Sequence, residues 1–197
     1  MIKRCFIDLE TTGLDMSCAV IQISGIIDIN GKEVDKFDFK VAPFSTDRID
    51  DAALIINRIS VDDLNKFEDP LSVFDKLYCK LKEYCYPYDK KDKYFFIGYN
   101  SRFDYDRLRN WYTEKCKKDY FGSWFWFPPV DIMTIAADLL VHKRSEMENF
   151  KLETVLKTFN IETDESKLHD GMYDIEQTRK LYYRINFESL INKVKNS

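Results

Sequence analysis

The chain of 197 residues is poor in histidine, glycine, proline and net positive charge. Two histidines, His142 and His169, and no Cys-x-x-Cys pair leave little from which to build a zinc site. The five cysteines, Cys5, Cys18, Cys79, Cys85 and Cys116, are odd in number and scattered. Reduced thiols and a cytoplasmic location are therefore expected, not a disulfide framework. No apolar run approaches a membrane span, so no membrane partner is expected. Met1-Ile2-Lys3-Arg4 leads straight into a charge-bearing strand, which argues against a signal peptide. There is no internal repeat and no linker rich in Gly, Ser or Pro. One domain over 1–190 is expected, followed by a fraying tail, 191–197. A net charge of −4 argues against tight binding of duplex DNA through the global field.

What is present is a core-sized complement of apolar residues, 45% of the chain. It is arranged in patterns that alternate at strand and helix periods. Val20–Ile29, Asn30-Gly31 and Lys32–Val41 predict a β-hairpin, with Phe37, Phe39 and Val41 on one side. Short helices are expected over Asp51–Asn57 and Val61–Lys66. Asp69-Pro70 is the cap and first residue of a longer helix whose apolar stripe is Leu71, Phe74, Tyr78, Leu81 and Cys85. Further helices are expected over Ile132–His142, Leu152–Phe159 and Tyr173–Phe187. The pattern as a whole predicts an α/β fold.

The first strand, Arg4–Leu9, ends in Asp8-Leu9-Glu10-Thr11-Thr12-Gly13. Residues i and i+2 of a strand share a face, so Asp8 and Glu10 project together. Two such carboxylates repel unless a cation stands between them, and hard oxygen donors favour Mg²⁺ or Mn²⁺. A second buried strand, Tyr94–Tyr99, runs into Asn100-Ser101-Arg102-Phe103-Asp104. There Asp104, Leu108 and Trp111 share the inward face of a helix. Later, Asp174, Thr178 and Leu181 share another. An acid on a packed face is costly unless it is paired or bound to metal.

Three segments, Phe6-x-Asp8-x-Glu10-Thr11-x-Gly13, Asn100-x-x-Phe103-Asp104, and His169 with Asp174 five residues on, resemble the motifs of the DEDDh 3′–5′ exonucleases. That family includes proofreading exonucleases of bacterial DNA polymerases, RNase T and oligoribonuclease. The resemblance spans roughly residues 4–185. It implies a ribonuclease-H-like mixed sheet, an antiparallel meander of strands one to three plus parallel strands, flanked by helices. It implies that Asp8, Glu10, Asp104 and Asp174 hold two Mg²⁺ or Mn²⁺ ions with Asp8 bridging, and that His169 is the general base, a task suited to imidazole. Such ions would supply positive charge that the acidic chain lacks.

The implied substrate is the 3′ end of a single strand, released as nucleoside 5′-monophosphates. DNA is favoured through the Thr11-Thr12-Gly13 style, with RNA as the alternative. A DNA polymerase or another replication or repair protein is an expected partner. Thr11, Thr12 and Gly13 are candidates to meet the terminal nucleotide through backbone N–H groups, or form an ordinary turn. Asn57, Arg58 and Ile59 match a segment in which the family has a Gly and then an apolar wedge. Arg58 replaces that Gly, and a left-handed backbone is disfavoured for it. Asn100 and Phe103 are substrate contacts or packing residues. Asp131 is a family position or the cap of the following helix. The aromatic run Tyr120–Phe127 is base-stacking surface, core or docking surface.

Overall fold

The computed structural model describes residues 1–167 and 170–195, with residues 165 and 187–195 as backbone only. Five strands, β1 (Lys3–Thr11), β2 (Val20–Ile29), β3 (Lys32–Lys40), β4 (Tyr94–Gly98) and β5 (Phe125–Asp131), form one sheet in the order β3-β2-β1-β4-β5. The meander β1-β2-β3 is antiparallel, whereas β1–β4 and β4–β5 are parallel. Asn30 and Gly31 both have positive φ (52° and 90°), which turns the β2–β3 hairpin as the Asn-Gly pair predicts.

Helices α1 (Asp51–Ile56), α2 (Val61–Leu64), α3 (Pro70–Tyr84), α4 (Ser101–Arg109), α5 (Ile132–Leu139), α6 (Leu152–Thr158) and α7 (Gly171–Lys195) cover both faces. β1 divides the two cores by its alternation. Cys5, Ile7 and Leu9 pack with α3, α4 and Trp111, while Phe6 packs with α5, α6 and α7. Asp8 and Glu10, in step with Phe6, therefore face the α7 side.

Several boundaries differ from those expected. The α3 stripe uses Val73 and Leu77 in place of Leu71, which is 39% exposed. The α5 helix stops at Leu139 and continues as a tighter 3₁₀ segment, Val141–Glu146. α7 runs from Gly171 to Lys195, beyond the expected Tyr173–Phe187. Strand β5 is not foreshadowed by sequence, because Pro128 and Pro129 argue against a strand; at a sheet edge that objection lapses. The aromatic run divides evenly: Phe121, Trp124 and Phe125 are buried in the core, where Trp124 Nε1 donates to Tyr112 Oη at 2.7 Å, while Tyr120, Trp126 and Phe127 are exposed.

A buried ion cluster anchors α7. Asp28, fully buried on β2, accepts from Arg179 Nη2 (2.9 Å), Tyr183 Oη (2.7 Å) and the Gly31 amide (2.9 Å). Asp28→Ala would strand the Arg179 charge against the sheet and should cost about 3 kcal/mol. Urea unfolding checks this; a loss below about 1 kcal/mol would mean that apolar packing alone holds α7.

Candidate active site

β4 pairs with β1 only from Arg4 to Phe6 and ends at Gly98. The second half of β1 is thus left open toward α4, at the carboxyl end of two parallel strands, where open sheets form clefts. Asp104, in the first turn of α4, fills the gap: its Oδ1 accepts from the Leu9 amide at 3.1 Å. Asp104 is 4% exposed, and Leu108 and Trp111 on the same stripe are buried as their spacing predicts.

From the other side comes α7. A Cβ on Gly171 would stand 2.7 Å from Ser24 Oγ and 3.4 Å from Asp8 Oδ2. Glycine lets the start of this helix approach β1 and β2, which brings Asp174 in one turn later. Thr178 and Leu181 on the same face are buried. Asp170, which the sequence reading passed over, accepts from the Tyr173 amide at 3.0 Å and adds a fifth acid to the neighbourhood. A capping acid before a helix at the third motif was the available signal.

The four expected acids interact strongly. Burial, followed by the carboxylates of Asp104, Glu10, Asp174 and Asp170, raises the Asp8 carboxyl well above its ordinary range. Burial and then Asp174 push Glu10 up to about 8, against a lowering by Lys40. Burial pushes Asp104 up to about 8, against the lowering effect of the Leu9 amide. Among the described residues, no three His, Cys, Asp or Glu side chains stand close enough to hold an ion as placed. The donor set nonetheless fits a hard divalent cation: all-oxygen, crowded and short of positive charge. Ligation would require the carboxylates to turn toward one another. His169 lies outside the described residues.

Two cavities flank Glu10. One, of about 620 Å³, is lined by Thr11, Gly13, Leu14, Ile56 and Phe103, with Glu10 and Asn57 at its border. Gly13 has φ 151°, and a Cβ there would lie 2.4 Å from Asp50 Oδ2, so the turn admits only glycine. Arg107, unforeseen as a site residue, is buried beside this cavity. Its guanidinium donates to the carbonyls of Leu14 and Asp15 and lies 4.2 Å from the Phe103 ring centroid. It ties the loop after β1 to α4; its spacing of four residues from Phe103 was the signal.

The second cavity, of about 440 Å³, is lined by Glu10, Gln22, Lys40, Asn57, Arg58, Ile59, Ser166, Lys167, Asp170 and Tyr173.

The substrate candidates fare unequally. Thr12 is fully buried, with its amide donating to Ala19 O and its hydroxyl to Arg48 O, so it holds the turn. Asn57 Nδ2 donates to Thr11 O at 2.9 Å and joins α1 to β1. Arg58 is a correction: it does adopt the left-handed conformation, φ 55°. The Ile59 amide reaches back to Leu54 O (3.0 Å) and closes α1 with a turn that needs positive φ, which outweighs the modest cost for a non-glycine residue. Ile59 packs against Ala19, Ile21, Leu54 and Leu64 and also borders the second cavity. Exposed Asn100 takes left-handed φ 59°, and its amide donates to Asp131 Oδ1 at 2.9 Å. Asp131 also caps α5 through the Met133 amide, as one of its two readings had it.

A family model described as exonuclease, of the RNase T group, matches residues 5–182. The chain belongs to this family of DEDDh 3′–5′ exonucleases. No curated protein matches it. Among solved structures it resembles Escherichia coli exonuclease I in complex with a dT13 oligonucleotide, at 19% identity and TM-score 0.72 over 92% of this chain and 40% of that one. It also resembles the zinc-bound E. coli exonuclease I complex with single-stranded DNA, at 19% identity and TM-score 0.76 over 95% and 41%. A third is exonuclease I solved with SSB and an inhibitor, at 17% identity and TM-score 0.70 over 95% and 44%. The chain thus spans less than half the length of these proteins, and the likeness is one of fold.

The raised acids have a consequence for stability. In the unfolded chain Glu10 and Asp104 ionise near 4.5 and 3.8, and in the fold near 8. The folded state therefore keeps protons that the unfolded chain has lost, so the stability from these groups falls as pH rises through that window. Metal-free protein should lose thermal stability between about pH 5 and pH 8, and Mg²⁺ or Mn²⁺ should restore it mainly at the upper end. Melting in chelator and in cation across that range checks this; a flat profile indifferent to cation would contradict it.

Proposed function

We propose that this 3′–5′ exonuclease removes nucleotides from the 3′ end of single-stranded DNA as nucleoside 5′-monophosphates. The observation that carries this reading is the position of Glu10 and Asn57, which border both cavities. A strand whose terminal phosphodiester lies over the acids has its last nucleoside on one side and the rest of the chain on the other. The mainly apolar cavity suits the terminal nucleoside: Leu14 and Ile56 are exposed and face it with Phe103. Gly13 and Thr11 bring backbone close to the sugar. The oligonucleotides bound by exonuclease I favour DNA by analogy of fold. RNA, which differs at the 2′-hydroxyl, is the second arm of the test.

In this reading Asp8, Glu10, Asp104 and Asp174 would hold two Mg²⁺ or Mn²⁺ ions. Bound there, the ions would neutralise charge on the attacking and leaving oxygens of an in-line displacement. His169 takes the proton of the attacking water as its oxygen bonds to phosphorus. The bond from phosphorus to the 3′ oxygen of the preceding nucleotide breaks, and that oxygen takes a proton from solvent water and leaves as a hydroxyl. Arg107 keeps the Leu14–Asp15 loop and the Phe103 ring in register with the acids. A polymerase or another repair protein as partner belongs to the same proposal, and no helix among the described residues is long and apolar enough to cross a membrane.

Labelled single-stranded DNA and RNA of matched sequence test the reading. DNA should shorten from its 3′ end in Mg²⁺ or Mn²⁺ and stay intact in EDTA. His169→Ala should lower kcat by roughly 10²–10⁴-fold with little change in substrate affinity. Full digestion in chelator would sink the metal assignment. A His169→Ala enzyme with near-normal turnover would remove the base, and faster digestion of RNA would reverse the substrate.

A further inference from the structure

The second cavity is lined by the cationic side chains of Lys40 and Arg58. Lys40, at the end of β3, donates from Nζ to Gln22 Oε1 at 2.6 Å. Gln22 is 1% exposed, and its Nε2 donates to Asp38 Oδ1 at 2.7 Å. Ser24 Oγ donates to that same oxygen at 2.8 Å. An ammonium only donates and a carboxylate only accepts, so Gln22 can satisfy both neighbours in one amide orientation alone. The half-buried Lys40 ammonium is thus held through buried Gln22 by a relay that ends at exposed Asp38.

Across the cavity stands Arg58. One guanidinium nitrogen donates to Ser166 O at 3.1 Å. Among the described residues neither Lys40 nor Arg58 makes a salt bridge to a carboxylate, in contrast to Lys115 with Asp47 and Lys118 with Asp75. Glu10 and Asp170 line the same cavity and Lys40 acts electrostatically on Glu10, yet neither Lys40 nor Arg58 is held in an ion pair among the described residues, so both charges can meet an anion that enters.

We propose that Lys40, oriented by Gln22, and Arg58 form a subsite for the phosphate that follows the scissile one on its 5′ side in a single-stranded oligonucleotide. This rests on the exonuclease reading and extends it. The apolar cavity takes the terminal nucleoside, and the Glu10–Asn57 border carries the scissile phosphate. The Lys40–Arg58 cavity then takes the next backbone anion, so the enzyme distinguishes a strand from a single nucleotide ester. Lys40 is a binding residue in this scheme, and Gln22 is a positioning residue that acts through it.

Lys40→Met keeps the aliphatic stem and removes the charge. Two substrates separate its effects: a DNA oligonucleotide, and the p-nitrophenyl ester of thymidine 5′-monophosphate, which has no second phosphate. The ratio of kcat/KM for the oligonucleotide to that for the ester should fall about tenfold, chiefly through KM. Binding of the oligonucleotide in Ca²⁺ should lose about 0.7 from its log–log salt slope. Gln22→Met should raise KM for the oligonucleotide and leave that slope near the wild-type value, since the charge remains. An equal fall on both substrates would overturn the proposal and make Lys40 a counter-charge for Glu10. An unchanged ratio and slope would overturn it too. Salt-dependent binding needs no turnover, so a wild-type protein that binds with a Lys40-dependent slope but does not cut would refute the exonuclease reading and leave the subsite standing.

Discussion

Crowding of like charge at the open end of β1 is the constraint around which the structure is arranged. Asp8 and Glu10 share one face of a strand, Asp104 enters from α4, and Asp174 enters from α7. Glu10, Asp104 and Asp174 all make ionisation of Asp8 harder, and burial does the same for Glu10 and Asp104. A fold gains nothing in stability from such a cluster, so its supports have to come from elsewhere. The Asp28 ion cluster holds α7 down a few turns beyond Asp174, the Leu9 amide holds Asp104, and glycine at 171 allows the approach. The crowding makes sense as a binding site for positive charge.

Much of this was legible in the residues. The i, i+2 spacing of Asp8 and Glu10 predicted their common face, and the helical stripes through Asp104 and Thr178 predicted their burial. The Asn-Gly hairpin, the Asp69 cap and the meander all follow from local rules that tertiary contacts do not override here. The family resemblance supplied the mixed sheet, which periodicity alone could not distinguish from other α/β arrangements. What escaped notice depended on distant partners. Arg107 looks like any helix arginine until the Leu14 carbonyl is brought to it. Arg58 looks unsuited to a left-handed turn until the return of the chain to Leu54 O requires one. Strand β5 was hidden by its prolines, which only an edge position tolerates.

Net charge misleads in a similar way. A net charge of −4 opposes binding of a polyanion through the global field, yet the charges are unevenly placed. Many surface lysines are paired with carboxylates, whereas Lys40 and Arg58 line the cavity beside Glu10 outside any ion pair among the described residues. Local charge at the cleft, and any cation the acids attract, matter more for a strand end than the sum over the surface.

The most direct measurement of the central claim is the proton balance of cation binding. Glu10 and Asp104 with pKa values near 8 are largely protonated at pH 7 in the metal-free protein. Titration calorimetry of Mn²⁺ into metal-free protein, repeated in buffers of different ionisation enthalpy, counts protons released on binding. The account predicts saturable binding with release of about one proton or more near pH 7, shrinking toward zero above about pH 9. Binding whose heat is the same in every buffer, or no binding at all, would contradict a carboxylate cluster held together by the cation it awaits.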